Sequence, residues 1–472
     1  MAIADAAQPQ RLTAWSFAQR LRDRIADLLT GEHAAIQRMA GAAFAIRVAS
    51  AGIIFISQAL LARWIGSYQF GTYIYVWTWL LLAGDLVHLG LPLTAQRFIP
   101  EYTEAKTDDL LRGYLSASRW LTLAVSAVVA TVAAGAVWAL RSRIDSNLVA
   151  PFLLACAAVP AYALTFMADG LARSYNWINL ALLPAYIIRP LLLIATICVL
   201  RLMGFALDAT IVMTVVAVVA WLSIVAQMLQ LNRRLSSTVM AGPKRYAVKQ
   251  WLATALPVLL VWGLYTLLIS TDILVLKQFR PADEVAHYYA AAKTIGLVSI
   301  IYFAFAATSA HRFAAHHIAG DSEGLARFAA SIVRWVFWLS LALTVALLAI
   351  GRPVLMLFGP DFVSAYPVMI VLAVGQLARA SIGPAERVLN VLGQQRRCAT
   401  AYIVAFAVNI SGCLLLAPAY GAIGVAMATA GAFVVESVLL FAIAKRGLGL
   451  HMFVWRPSKR PPAVIDSARL IK

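Results

Sequence analysis

Residues 208–231 read DATIVMTVVAVVAWLSIVAQMLQL, with a single charged side chain, Asp208, at the first position. An α-helix rises 1.5 Å per residue, so about 20 such residues cross the hydrocarbon core of a bilayer, which is roughly 30 Å thick. No water is available there to satisfy backbone groups, and a helix satisfies them internally. The stretch therefore predicts a transmembrane helix.

Apolar stretches of this kind recur along the chain, separated by short charged loops. In chain order they lie at 41–61, 74–95, 118–140, 150–168, 181–200, 208–231, 251–276, 288–310, 331–350, 363–381, 400–417 and 421–443. Over 472 residues, 62% are hydrophobic and 13% charged, against about 25% charged in ordinary soluble domains. We predict an all-α, polytopic membrane protein of about twelve transmembrane helices, numbered here as spans 1 to 12.

The basic residues predict the orientation of these spans. Both termini and the loops after even-numbered spans hold 26 Lys and Arg, and the loops after odd-numbered spans hold 7. By the positive-inside rule, both termini face the cytoplasm. The net charge of +18 is spread between apolar runs instead of lying on one face, which favours anionic lipid headgroups over nucleic acid as its partner.

A basic loop, residues 233–250, divides the twelve spans into two sets of six. Phe70-Gly71-Thr72-Tyr73 leads into span 2 much as Val285-Ala286-His287-Tyr288 leads into span 8, and duplicated halves are a common plan of transporters with a central site. We predict two pseudo-symmetric six-helix lobes. The predicted domains are a cytoplasmic, basic, amphipathic leader (1–40, with a surface helix over Leu12–Leu29), an N-terminal lobe (41–232), the cytoplasmic linker (233–250), a C-terminal lobe (251–443) and a basic cytoplasmic tail (444–472).

Six basic residues lie inside apolar runs. Arg119 and Arg334 are close to the starts of their spans, where long side chains reach the headgroups. The deeper four are Arg47, Arg189, Lys293 and Arg379, in spans 1, 5, 8 and 10. A charge at the bilayer centre costs about 2.5–3.5 kcal/mol even on a lenient scale, so such residues are expected to face the bundle interior or a wet cavity.

Two interpretations of the deeper cations remain open. They line a cationic cavity for a substrate that carries phosphate, whose oxygens guanidinium groups bind bidentately, or they pair with the buried acids Asp85, Asp272 and Glu436. Asp85 and Asp272 are themselves candidates for coupling to H⁺ or Na⁺, with a helix-packing hydrogen bond as the alternative.

Patterns typical of enzymes are missing from the sequence. It contains no Gly-rich phosphate loop, no supported Ser/His/Asp order and no paired acids in a loop. The four cysteines lie far apart, without metal-ligand spacing. We predict a protein that is not an enzyme and that holds neither a metal nor a cofactor.

Several segments resemble one transporter family in the same order. Ala62-Arg63-Trp64-Ile65-Gly66-Ser67-Tyr68-Gln69-Phe70-Gly71-Thr72-Tyr73 resembles the signature after the first span of Wzx-type polysaccharide transporters, a branch of the multidrug/oligosaccharidyl-lipid/polysaccharide flippase superfamily. Further segments that resemble the family are 272–276, 288–293, 357–362, 390–393 and 418–428. The resemblance covers residues 40 to 447.

The resemblance implies a function and partners. Two lobes would enclose a cationic cavity and expose it to each side of the bacterial cytoplasmic membrane in turn. The cargo would be an undecaprenyl-pyrophosphate-linked oligosaccharide from O-antigen, lipopolysaccharide, capsule or exopolysaccharide synthesis. Membrane lipids, a polysaccharide polymerase and a chain-length regulator would be the other partners.

Three other functions are weighed against this one. A cation-coupled drug or metabolite antiporter of the same superfamily would be expected to use acids in its first lobe, where span 1 offers Arg47. A peptidoglycan-precursor flippase usually has fourteen spans. A membrane glycosyltransferase or polymerase is disfavoured by the short outward loops.

Overall fold

The computed structural model describes residues 32–455, and the predicted surface helix Leu12–Leu29 and most of the predicted tail lie outside the described residues. Within that range the chain is helical and contains no strand. Packing divides the chain at Ala45. The unit up to Ala45 is helical from Glu32 onward, and the following description concerns the unit that begins at Ile46.

The helices follow the predicted spans. Span 1 and the first part of span 2 form Glu32–Leu86, and span 2 continues in Leu91–Glu104. Spans 3 to 6 are Asp108–Ala139, Ser146–Ser174, Ile178–Leu202 and Ala209–Thr238. Span 7 comprises Val248–Leu268 and Thr271–Phe279, and span 8 comprises Ala282–Gly296 and Ser299–Ile318. Span 9 is Ser322–Ala349, and the short helix Gly351–Met356 follows it. Span 10 comprises Pro360–Ala365, Tyr366–Ser381 and Ala385–Val391. Spans 11 and 12 lie in the helical segment Gln395–Leu448.

The helix Glu32–Leu86 contains a reversal of the chain. Gln58 Nε2 donates to Tyr73 Oη over 3.4 Å, although fifteen residues of straight helix would separate them by about 22 Å. The reversal occurs at Gly66, whose φ of 79° and ψ of 164° suit a residue without a Cβ. Spans 1 and 2 are therefore separate crossings.

Spans 11 and 12 are separated in the same way. Asn409 Nδ2 lies 3.3 Å from Thr429 Oγ1, and Gly421 between them has a φ of 55° and a ψ of −135°. Among the described residues, nine helices are long and apolar enough to cross a membrane, or ten with the bent pair of span 8. Two of them contain a reversal, so the predicted count of about twelve is confirmed.

The observed helices extend beyond the predicted hydrophobic windows. Span 3 begins at Asp108 and span 9 at Ser322, whereas the windows begin at 118 and 331. Hydropathy detects the part of a helix within the hydrocarbon, and polar turns continue it beyond. Asp145, Asp208 and Asp321 cap such ends, each accepting a backbone N–H at 2.7–3.0 Å.

Loops that follow odd-numbered spans meet at one end of the bundle, the odd-loop end. Tyr68 Oη donates to Asp145 Oδ2 at 3.1 Å, joining the first and third loops. The backbone N–H of Ala422 donates to Glu284 Oε1 at 2.6 Å, joining the seventh and eleventh. At the opposite, even-loop end, the backbone N–H of Arg245 donates to the Asp109 carbonyl at 2.9 Å.

The helices pack in two sets. Spans 2 to 6 pack on one another, as do spans 7 to 12, and the second half of span 2 also packs on span 7. We call spans 1–6 the N lobe and spans 7–12 the C lobe. The lobe boundaries proposed from the sequence stay predictions.

The lobes meet closely at the odd-loop end. A Cβ at Gly71 would overlap the carbonyl of Ala282. Five rings pack there with neighbouring centroids 5.4–6.4 Å apart. They form the aromatic closure, which comprises Phe55 and Phe70 of the N lobe and Tyr289, Phe358 and Phe362 of the C lobe.

Candidate functional site

Five helix interruptions lie beside charged residues that the sequence singled out. Span 5 contains a π-helical turn, Pro184–Ile188, directly before Arg189. The other four interruptions are near Asp85 (span 2), Asp272 (span 7), Lys293 (span 8) and Arg379 (span 10). Interrupted helices are how many transporters build a polar site at membrane depth, because they present backbone and polar groups where a regular helix would not.

Arg189 is a buried cation that pairs with a hydroxyl. Its side chain is 7% exposed, and Nη2 donates to Thr165 Oγ1 on span 4 at 2.6 Å. The guanidinium stacks over the ring of Tyr162, 4.6 Å from its centroid, while Nε has no hydrogen-bond partner among the described residues. No ion pair is recorded for Arg189 in residues 32–455, so its charge is not neutralised by a neighbouring carboxylate.

Lys293 is the corresponding cation of the C lobe. It lies on span 8 and is exposed, with Nζ 5.2 Å from the ring centroid of Tyr289. Asp272 is within electrostatic reach but not at ion-pair distance. The side chain is therefore accessible to a ligand.

A continuous row of rings connects these two cations across the boundary between the lobes. On the N lobe, the ring of Tyr162 contacts Trp77, and Trp77 contacts Tyr73, at centroid distances of 5.6 and 5.7 Å. Tyr73 contacts Phe70 at 6.1 Å, and Phe70 contacts Tyr289 of the C lobe at 5.8 Å. Arg189 and Lys293 thus lie at the two ends of one row that includes part of the aromatic closure.

Arg47, on span 1, packs against span 5, the span that carries Arg189. It is exposed, and its guanidinium lies 5.3 Å from the ring centroid of Tyr186, one helical turn from Arg189. Its charge acts on Asp169 of span 4. Asp169 already binds Arg173, whose Nε lies 2.9 Å from both carboxylate oxygens.

Arg379 is in a different situation. Its Nη2 lies 3.2 Å from Oε1 of Glu436 on span 12, and its guanidinium stacks 4.7 Å from the ring centroid of Phe433. This is the pairing with a buried acid that the sequence analysis kept as its alternative.

The acids Asp85 and Asp272 both accept hydrogen bonds. Asp85 Oδ2 accepts from Trp262 Nε1 at 2.6 Å and from Thr266 Oγ1 at 2.7 Å, both on span 7, so it connects the lobes. His88 Nε2 lies 3.6 Å from its other oxygen.

Asp272 belongs to a polar network within the C lobe. Its Oδ2 accepts from Tyr288 Oη at 2.7 Å, and Tyr288 contacts Thr429, which in turn contacts Asn409. Both acids therefore make the helix-packing hydrogen bonds that were the alternative to ion coupling, and these bonds are compatible with either role.

Sequence reasoning missed a set of span 4 residues that lie beside Arg189 and Arg47. Tyr162, Thr165, Asp169 and Arg173 recur every three or four residues, which places them on one helical face. That spacing within and after the apolar run was visible in the sequence. Their partners on spans 1 and 5 were not, because contacts between spans are not encoded locally.

The structure also contains a cavity that these residues do not line. It has a volume of about 690 Å³, lies between spans 2, 3 and 4 at the odd-loop end, and is lined mainly by apolar side chains such as Trp79, Ala133 and Phe152. Arg143 and Lys277 lie at its lining. None of the cations or acids singled out from the sequence lines this cavity.

Comparison by sequence gives no relatives, since no family profile and no curated protein matches the chain. Comparison by structure finds several proteins with a similar fold. An inward-facing multidrug resistance MATE family transporter of the MOP superfamily matches with a TM-score of 0.69 and 14% identity, over 86% of this chain and 98% of that chain. The lipid II flippase MurJ in an inward closed conformation matches with 0.68 and 14%, over 85% and 87%.

A third match is a MOP superfamily transporter from Pyrococcus furiosus, described as having a binding pocket of reverse polarity that suggests a different function. Its TM-score is 0.65 at 14% identity, over 90% of this chain and 97% of that chain. All three structures are described as transporters or a flippase, and what they share with this chain is the fold. The chain has the fold of the multi-pass membrane transporters of the MOP superfamily.

Proposed function

We propose that this protein is a flippase that moves an undecaprenyl-pyrophosphate-linked oligosaccharide across the bacterial cytoplasmic membrane by alternating access. The observation that carries the proposal is the pair Arg189 and Lys293. These cations come from opposite lobes, have no recorded ion pair among the described residues, and lie at the two ends of one aromatic row. An anionic headgroup between the lobes would supply the missing negative charge.

The chemistry of a pyrophosphate fits these groups. Moving a multiply charged headgroup through bare hydrocarbon is prohibitive, so a cavity must replace its hydration. Arginine offers a planar fork to phosphate oxygens, and lysine offers a compact point charge. Tyrosine and tryptophan rings beside them suit sugars, because their faces are apolar and their edges carry hydrogen-bonding groups.

The direction of access follows from the two ends of the bundle. We assign the even-loop end to the cytoplasm on the charge bias of the loops. The aromatic closure then blocks the periplasmic side, so the headgroup enters from the cytoplasm. Arg47 would be the first cation to meet it, followed by Arg189 and Lys293. The polyprenyl tail would stay in lipid while the lobes rock and the closure opens.

Coupling and partners are part of the same proposal. Asp85 and Asp272 remain candidates for H⁺ or Na⁺ coupling, and Arg379 contributes through its pairing with Glu436 instead of direct contact. O-antigen, capsule or exopolysaccharide repeat units are the cargo class, with a polymerase and a chain-length regulator acting on the product.

The test is flipping of a fluorescent undecaprenyl-pyrophosphate oligosaccharide in proteoliposomes. We expect transport by the wild type and strong loss in Arg189→Ala and Lys293→Ala. The matched control is Arg334→Ala, because Arg334 also lies within an apolar run, yet it is exposed and its Nε donates only to its own helix. Equal activity in all variants would contradict the assignment of the site.

The same preparation distinguishes the alternatives. Export of an organic cation driven by an ion gradient, without flipping, would identify an antiporter; the MATE match is a multidrug resistance transporter. Sugar transfer catalysed by the purified protein would identify a glycosyltransferase or polymerase. Either result would replace the flippase proposal.

A further inference from the structure

The cavity of about 690 Å³ between spans 2, 3 and 4 is lined by facing sides of these helices. On span 3 the lining side chains recur every three or four residues over 129–140, and on span 4 they do so over 148–159. Three alanines, Ala130, Ala133 and Ala136, occupy the middle of the span 3 face. Because these side chains are small, the space between the helices stays open.

The cavity has about the depth of one membrane leaflet. From the odd-loop end inward it follows eleven residues of span 3 and of span 4, which rise about 16 Å, and the hydrocarbon core is about 30 Å thick. Its lining residues Trp79, Val129 and Leu140 are 41%, 39% and 47% exposed, so the cavity is accessible from the side of the bundle. Apolar cavities exclude water, which makes a hydrocarbon chain the occupant that fits these walls.

Two cations lie at the mouth of the cavity. Arg143, in the loop between spans 3 and 4, is exposed, and Lys277, at the end of span 7, is half-buried. Neither has a recorded ion pair within residues 32–455. The acid at the same mouth, Asp145, accepts from the backbone N–H of Asn147 at 3.0 Å and from Tyr68 Oη at 3.1 Å. The mouth therefore carries one net positive charge.

We propose that this cavity binds an anionic phospholipid from the leaflet at the odd-loop end. One acyl chain occupies the space between spans 2, 3 and 4, and the phosphate of the headgroup lies between Arg143 and Lys277. Basic residues beside a groove between membrane helices attract anionic headgroups, and the chain supplies dispersion contacts that the walls of an empty cavity lack. The lipid-linked glycan fits less well, because Arg47, Arg189 and Lys293 do not line this cavity.

The site draws on both lobes. Its lining residues belong to the N lobe except for Lys277 and Gln278, which belong to the C lobe. Gln278 Nε2 donates to Tyr75 Oη at 2.8 Å, so the same wall of the cavity joins the lobes. The headgroup site is complete only while the lobes meet at the odd-loop end. A bound phospholipid would therefore stabilise this arrangement relative to one in which that end opens.

The first experiment measures lipid binding to the full-length protein in detergent by native mass spectrometry. We expect one phosphatidylglycerol per chain, bound more tightly than phosphatidylcholine. Arg143→Ala and Lys277→Ala should each weaken phosphatidylglycerol binding roughly 5-fold, the contribution of one basic residue to an anionic lipid contact. The matched control is Arg141→Ala, which should bind as the wild type does, because Arg141 is exposed and stacks on Trp138 without lining the cavity.

A second measurement locates the acyl chain. Phosphatidylglycerol that carries a diazirine at the end of one acyl chain is added to the protein in phosphatidylcholine nanodiscs and photolysed. Labelling should concentrate in residues 129–133 and 155–159, at the deep end of the cavity. Ala133→Phe, which fills the cavity, should abolish this labelling, whereas Ala134→Phe, at a neighbouring position that does not line it, should not. If Ala133→Phe does not fold, the double variant Arg143→Ala/Lys277→Ala should still reduce the labelling.

The proposal is overturned if phosphatidylcholine binds as tightly as phosphatidylglycerol, if both cation variants bind as the wild type does, or if labelling is spread evenly over the lipid-facing helices. Displacement of the labelled lipid by a lower concentration of undecaprenyl phosphate would assign the cavity to the substrate instead. A dimer that excludes the lipid would assign it to a second copy of the chain. No glycan is present, so the result is independent of whether the protein is a flippase.

Discussion

Arg189 in the N lobe and Arg379 in the C lobe look alike in sequence and differ in structure. Each lies in an apolar run beside a helix interruption, and each stacks on an aromatic ring, at 4.6 and 4.7 Å. Arg379 has a carboxylate partner, Glu436, whereas Arg189 donates to the hydroxyl of Thr165. The comparison teaches that two arginines in similar sequence settings differ in whether a carboxylate neutralises them, and on the proposed function only the arginine without a carboxylate is expected to bind a ligand.

The energetic consequences also differ. A buried ion pair is costly to break, because removing one partner leaves the other charge unsatisfied. A buried cation bonded only to a hydroxyl leaves no such charge behind when it is removed. Substitution should therefore affect mainly stability at Arg379 and mainly ligand binding at Arg189.

The largest effect is expected for Arg379→Ala. It leaves Glu436 without its cation, and breaking a buried pair costs about 3–5 kcal/mol. Thermal unfolding of the purified protein measures the loss. The double variant Arg379→Met/Glu436→Leu removes both charges and should recover most of it. A stable single variant would mean that the pair does not hold the two spans together.

Arg189→Ala should mainly weaken ligand binding. Hydrogen bonds to charged groups contribute about 1.5–3 kcal/mol, so we expect roughly 10- to 100-fold weaker binding of undecaprenyl pyrophosphate. Tm should change little in the same sample. The comparison of the two arginines fails if Arg189→Ala unfolds the protein as readily as Arg379→Ala does.

Trp262→Phe extends the comparison to a contact between the lobes. It removes the indole donor to Asp85 and keeps an aromatic ring. Interhelical hydrogen bonds in membranes average about 0.6 kcal/mol and reach about 1.7 kcal/mol, so a modest fall in Tm is expected. Trp335→Phe is the control, since Trp335 is 59% exposed and has no recorded bond among the described residues. An equal fall in both variants would show that the bond to Asp85 contributes nothing.

The smallest effect is expected at Asp321, an exposed acid at the even-loop end. Its pKa is lowered by the hydrogen bond from the backbone N–H of Gly324 and by His316. Because folding lowers this pKa, the ionised carboxylate of Asp321 stabilises the folded state at pH values above the ordinary aspartate pKa, near 3.9. This stabilisation is lost as the pH falls below that value. The difference in Tm between the wild type and Asp321→Asn should therefore shrink with acidification. A difference that persists unchanged would contradict this.

The sequence predicted the fold class, because hydropathy reports directly on burial in lipid, and apolar runs located all of the spans. The reversal at Gly66 lies inside the segment Ala62–Tyr73 quoted for the family resemblance. Pairing of the candidate site residues was beyond sequence reasoning. Glu436 lies two spans after Arg379, and Thr165 lies on the span before Arg189, so only the folded bundle decides which cation meets an acid.

The π-helical turn at Pro184–Ile188 has an evolutionary consequence. A π-bulge corresponds to one residue added to an α-helix, and one residue turns an α-helix by about 100°. Because the π turn takes up the extra residue, the parts of span 5 before and after it keep the faces they would have in a regular helix one residue shorter. Span 5 can therefore gain or lose one residue at this turn while Arg189 stays beside Thr165, whereas an insertion that left the helix regular would turn Arg189 away by about 100°.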